Sequence, residues 1–371
     1  MQLLVSVLLS LLTFISCESP AYSLQKEAQK DLNFIHQTIL ENHPGPLNAQ
    51  DPEFVNNMNI AYHTAQHAIA TIRSSDDYQN SIKGYISSFH DAHVKVGFFS
   101  KKQQPSPAQT IDYKHFTVKE TANNSVWITL PTFDLNNQQQ QELDTIISLM
   151  PRYQKYKLIV FDVRGNTGGN DAWETKILNS LFGDTYVSEY LYQLHKNEQI
   201  KWRVSKDNIS HVLSLVQSVG NQFGASSSLV NELKTIAHGL QEALSEGKAF
   251  YTEPVSPYSI TTKATNPVTA KIVVIIDAFC MSATLDFIDT LKIIDPTIVL
   301  LGETTDADSV YMEIRIVDLP SGKGQFQFPI KMYSNRLRGH NVPYVPDMPY
   351  PQTTTLPAEK DAWLLETISK L

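Results

Sequence analysis

Cysteine is almost absent: Cys17 and Cys280 are the only two in 371 residues. That excludes a disulfide scaffold and a four-cysteine zinc site. Charge is also sparse. Only 18% of residues are charged, against roughly 25% in an average protein. Lys and Arg number 30 against 38 Asp and Glu, a net charge of −8 with no basic run, which argues against nucleic acid as a partner. No stretch after the N-terminus is apolar for 18 residues, so no membrane-spanning helix is expected there. The Gly-Lys-Ser/Thr ending of a P-loop is missing, and so is the Gly-x-Ser-x-Gly elbow of the α/β-hydrolases. What is present is a chain with 42% hydrophobic residues, enough for a packed core. Its length suggests two or three units at about 150 residues each.

The first 16 residues carry no charged side chain, and their apolar stretch runs from Leu3 to Ile15. This is too short for a span of about 20 residues and fits a secretory signal peptide, although the basic leader is missing. Ser16-Cys17 resembles a bacterial lipoprotein cleavage box, so export is expected, with a possible membrane tether through lipidated Cys17. The exported chain would be periplasmic or membrane-anchored, with secretion as the alternative.

Apolar residues at spacings of three and four predict helices over 24–43, 52–74 and 76–89, a helical bundle at 22–93. Residues 94–371 read as an α/β core. Strand-like runs occur at Val94–Phe99, Phe116–Lys119, Val126–Leu130, Leu158–Val163, Lys271–Ile276 and Ile298–Leu301. Helical patterns at 137–150, 172–182 and 282–294 alternate with them, which implies a largely parallel sheet. Two late runs, 309–318 and 325–334, read as a hairpin. Residues 184–260 look polar and only partly helical, an insertion over the core or a lid.

Three segments could carry chemistry. Phe161-Asp162-Val163-Arg164-Gly165-Asn166-Thr167-Gly168-Gly169-Asn170 takes a buried strand into a glycine-rich turn at a helix start. Backbone N–H groups and partial positive charge collect there, which suits an oxyanion or phosphate; a turn that needs glycine for shape alone is the plainer reading. Asp277–Thr284 places Ser282 between a strand and a helix, either as an exposed hydroxyl beside the Ala283 N–H or as a simple helix cap. Cys280, in the same turn, reads as a buried apolar residue. Phe89-His90-Asp91-Ala92-His93 pairs two histidines at a helix end, and His63 and His67 form a second pair. No third ligand accompanies either pair, so no metal is expected.

Together, in this order, the segments resemble the C-terminal-processing, or tail-specific, serine peptidase family. FDVRGNTGGN is similar to its strand-and-glycine motif, CMSAT to its nucleophile turn, LLGETT to the strand end that follows, and WITLPTF to the strand entering its core. LPSGKGQFQFP and VPYVPD resemble its late hairpin and the Pro-Asp after it. The resemblance implies an N-terminal helical bundle followed by a ClpP/crotonase-like α/β core, a peptide or protein substrate and no cofactor. It assigns Ser282 as nucleophile, His93 as general base, and Ala283 with Gly168 or Gly169 as oxyanion donors. No lysine follows Gly302-Glu303-Thr304-Thr305, so the Ser–Lys branch is not matched, and the tricorn-like Ser/His branch fits better. The stretch between His93 and Trp127 is too short for a full PDZ domain. The serine beside the tricorn histidine is Ala92, and the usual acid three after the serine is Leu285, with Asp286 next to it. The C-terminal acid is not matched: Arg338-Gly339-His340-Asn341 stands there, with Glu303, Asp308 and Asp347 as poor substitutes. A non-catalytic exported binding protein on the same fold is the alternative.

Overall fold

The computed structural model describes residues 20–91, 93–99, 115–121, 123–254, 264–307 and 310–371. The leader, Cys17, Ala92 and Asp308 lie outside the described residues. Three helices open the chain: α1 (Pro20–Asn42), α2 (Phe54–Ile69) and α3 (Ser75–Ser87). Each buries the apolar stripe that predicted it; in α1 the stripe is Ala28, Leu32, Ile35 and Ile39. Ser74 caps α3, accepting from the Asp77 N–H while the Asp77 carboxylate accepts from the Ser74 N–H.

The remaining elements are β1 (Lys95–Phe98), β2 (Thr117–Thr121), β3 (Ser125–Thr129), α4 (Asn137–Tyr153), β4 (Leu158–Asp162), α5 (Ala172–Phe182), α6 (Asp184–His195), β5 (Gln199–Arg203), α7 (Lys206–Phe223), α8 (Ser228–Ser245), β6 (Phe250–Thr252), β7 (Lys271–Ile276), α9 (Ala283–Ile294), β8 (Val299–Gly302), β9 (Tyr311–Asp318), β10 (Gly324–Ser334), β11 (Met348–Pro349) and α10 (Pro357–Ser369). Two sheets result. The first has the order β11-β8-β7-β4-β3-β2. It is parallel except for β2 against β3, as the alternating pattern predicts. The central strand β4, Leu-Ile-Val-Phe-Asp, is buried along its whole length, because helices cover both faces. On one face Phe161 and Val274 pack with α4, α5 and α9. On the other, Val160 and Ile275 pack with Leu364 of α10.

The second sheet is antiparallel, in the order β1-β10-β5-β6 with β9 also on β10. Within the segment read as an insertion, residues 184–254 contribute to this sheet: β5 pairs with β10, and β6 with β5. Trp202, Ile236 and Leu240 lie in one apolar core with α1, α2, α3, Phe326 and Phe328. The segment looks polar because β5, Gln-Ile-Lys-Trp-Arg, buries only Trp202 fully. Its helices α7 and α8 pack on each other with one face. Among the described residues no helix is long and apolar enough to cross a membrane.

Candidate active site

Strands β4 and β7 are parallel neighbours, with Asp162 opposite Ile275. The turns leaving their carboxyl ends therefore emerge side by side, the usual place for a site in a parallel sheet. The two turns are tied together. The Asn166 side chain, fully buried, donates to the Leu130 carbonyl at 3.0 Å and accepts from the Gly168 N–H at 2.9 Å. Its own carbonyl accepts from the Thr284 hydroxyl at 3.0 Å and from the Met281 N–H at 3.4 Å. Asp277 accepts from the Gly165 N–H at 3.0 Å and the Phe279 N–H at 3.1 Å. The Cys280 thiol is buried against the Val163 carbonyl at 3.2 Å, and burial pushes its pKa far up. It is a packing residue, as expected, and no nucleophile.

Ser282 precedes α9 with φ 55° and ψ −131°. Its side chain makes no capping hydrogen bond, which removes the plain helix-cap reading. A serine in this conformation costs about 1–3 kcal/mol, so the surrounding contacts must hold it. Gly168, with φ +87°, packs directly on it: a Cβ there would lie 2.7 Å from the Ser282 Cβ and 2.9 Å from the Met281 carbonyl oxygen. Gly169, with φ +138°, lies so close to Phe133 that a Cβ would sit 2.1 Å from its carbonyl carbon. Both glycines are thus required by close approach as well as by turn geometry.

The oxyanion assignment narrows. The Gly168 N–H already donates to Asn166, so Gly168 is not a donor in this arrangement. Ala283 opens α9, where its N–H has no intrahelical acceptor. The Gly168 Cβ position lies 3.0 Å from that nitrogen. Ala283 and, next in the chain to Gly168, Gly169 are the candidate backbone donors of this turn.

A second group of residues, the histidine wall, lies between α3 and β1 and holds His93. It is buried; its N–H donates to Asp91 Oδ1 at 2.8 Å, and its carbonyl accepts from Gln327 of β10 at 3.4 Å. Its Nδ1 lies 3.2 Å from the same Asp91 oxygen, within ion-pair distance. Such contacts often tighten only when substrate is in place. Burial raises the Asp91 pKa, but the hydrogen bonds and charge of His93, together with His43, outweigh it and hold the carboxyl below its ordinary value. Asp91 is thus the carboxylate in contact with the His93 ring. The candidates nearer the C-terminus are occupied elsewhere: Glu303 pairs with Lys360, and Asp347 accepts from the Leu300 N–H at 2.8 Å. His340, in the position expected for the acid, accepts from the Val310 N–H at 3.3 Å and packs against Tyr311.

The two walls share the segment after β10. Arg336 and Arg338 bind Asp286 on α9, one turn beyond Ser282. His340 touches Tyr311, whose ring lies 4.7 Å from that of His43. The His63 ring bonds Gln66, and among the described residues no group of three or more His, Cys, Asp or Glu could hold a metal ion.

His43 supports the histidine wall. It is fully buried, stacks on Phe54, and accepts the Gly45 N–H at Nδ1 (2.9 Å), so it is neutral. Burial lowers its pKa from 6.5 to about 4, only partly opposed by Asp91. The folded state therefore binds this proton less readily than the unfolded chain. The stabilisation is fully present above pH 6.5 and is lost as pH falls toward 4, by an amount on the order of 3 kcal/mol. Urea unfolding at a series of pH values should show that slope, and His43→Gln should flatten it.

The sequence profile of peptidase family S41 matches residues 125–340, a span that includes both turns. No curated protein matches the chain in sequence. Among solved structures, mature CPAF is 12% identical with a TM-score of 0.59, over 94% of this chain and 97% of that one. A candidate peptidase from Parabacteroides merdae is 15% identical with a TM-score of 0.51, over 92% and 96%. At such identities the likeness is one of fold. The profile spans more than half of the sequence, and on that ground the chain belongs to peptidase family S41, the tail-specific serine peptidases.

Proposed function

We propose that this serine peptidase works through an acyl-enzyme on Ser282. His93 takes the hydroxyl proton and returns it to the leaving amine, Asp91 orients His93, and the N–H groups of Ala283 and Gly169 receive the oxyanion. The observation that carries the reading is the Ser282 backbone, held at φ 55° between a buried strand and a helix start against Gly168. A cap or a packing residue has no need of that conformation. Export through residues 1–16, with a tether at Cys17 if it is lipidated, belongs to the same proposal.

Fluorophosphonate labelling of the mature chain, read by peptide mass spectrometry, tests it. Label is expected on Ser282 and should fall by at least about a hundredfold in rate in His93→Ala, the lower end of general-base contributions. Absence of label from the wild-type chain would favour a binding protein on this fold. Undiminished label in His93→Ala would remove His93 from the mechanism.

A further inference from the structure

A partly open recess of about 170 Å³ lies between the start of α5, the end of α6, the first turns of α9 and the end of β10 with the segment after it. Drug-sized ligands occupy pockets of about 300–1,000 Å³, so this volume suits one side chain. Its walls carry Asp171, Glu174, Glu198, Asp286 and Asp289. Two of these are already balanced. Arg338 binds Asp286 at 3.0 Å and Asp289 at 2.9 Å, and Arg336 binds Asp286 as well. Among the described residues the other three are less fully matched: Lys331 acts on Asp171 and Arg336 on Glu174 through space only, and Glu198 is paired by one oxygen. Asp171 is exposed at the mouth. Glu198 binds the His195 ring with one oxygen, while its buried Oε1 has no hydrogen-bond partner. Glu174 is only 6% exposed, and its Oε2 is buried without any partner. Burial, and then Asp286, Asp171 and Asp289, raise the Glu174 pKa well above its ordinary value. Leaving such a group unmatched is costly, and an ammonium brought into the recess would supply the missing donors.

The recess is also placed for a substrate. Asp286 and Asp289 follow Ser282 by four and seven residues, on the same face of α9. Asp286 lies about 6 Å down the axis from Ser282. Asp171 comes two residues after Gly169. We infer that this recess receives a basic side chain of the peptide substrate, next to the bond that Ser282 attacks. The inference rests on Ser282 being the nucleophile. A four-carbon stem would carry the lysine ammonium past Asp171 toward Glu174 and Glu198.

The test uses matched peptidyl diphenyl phosphonates carrying lysine or norleucine beside the phosphorus. Lysyl label on Ser282 should form at least tenfold faster than norleucyl label, and the Glu174→Gln/Glu198→Gln variant should bring the ratio below twofold. Equal rates, a norleucyl preference, or a ratio retained in the variant would overturn the inference while leaving Ser282 as nucleophile. If neither probe reacts, the nucleophile reading fails, and the recess is decided separately. N-acetyl-lysine methylamide should then raise the melting temperature of wild type more than its norleucine analogue does, and equally with it in the variant. Equal shifts in wild type, or a lysine excess that persists in the variant, would overturn the recess.

Discussion

Ser282→Ala is expected to abolish turnover of peptide substrates, by at least about 10⁴-fold in kcat, the scale on which loss of a nucleophile acts in serine peptidases. KM should change little, because the hydroxyl is needed for the bond being made and not for holding the chain. Stability reports on the strain at the same residue. Ser282 holds φ 55° and ψ −131°, which costs an L-residue about 1–3 kcal/mol. Alanine inherits that strain and glycine does not. Ser282→Gly should therefore be more stable than Ser282→Ala by roughly 1 kcal/mol, with both inactive, as urea unfolding and a peptidase assay would show. If Ser282 were only a helix cap, glycine would again be the more stable replacement, because it caps better than alanine, but both variants would stay active. Activity, and not the order of stability, is what separates a nucleophile from a structural serine.

Much of the scaffold of this site is legible in the sequence, because its elements advertise themselves locally. Strands β4 and β7 are unbroken apolar runs, and α9 has apolar residues at helical spacing directly after β7. From these, the convergence of the glycine turn and the serine turn follows once the strands are parallel neighbours. Side chains whose roles depend on contacts far along the chain are not legible. Asn166 reads as one polar residue in a turn, yet its side chain fixes Gly168 and Leu130 while its carbonyl holds the start of α9. That clamp is what removes Gly168 from the oxyanion donors. The place of the insertion in the second sheet is not legible for a related reason: β5 acquires its strand character from β10, more than a hundred residues later. The recess escapes notice because three of its carboxylates come from the start of α5 and the turn after α6, and the two balanced ones from α9.

The acid of the histidine wall is the least legible part, and its replacement should have the second-largest effect. Asp91→Asn removes the negative charge 3.2 Å from His93 Nδ1 while keeping nearly the same shape. A carboxylate in that place holds the imidazole in the tautomer whose other nitrogen can accept the serine proton, and it stabilises the imidazolium that forms. Asparagine can present its N–H₂ instead and fix the wrong tautomer; in the Ser-His-Asp template the corresponding change lowers kcat by about 10⁴. A loss of about 10²–10⁴ in kcat with KM nearly unchanged is expected. A purely structural Asp91 would give a different pattern, with lower stability and kcat restored at low temperature. The pH profile separates the two further. Removing the charge disfavours the protonated imidazole, so the acidic limb of kcat/KM should move to lower pH in Asp91→Asn and return toward its wild-type position in Asp91→Glu. An unshifted limb with full activity would leave His93 without an acidic partner here, and the search would pass to the segment around His340, which reaches the same wall through Tyr311.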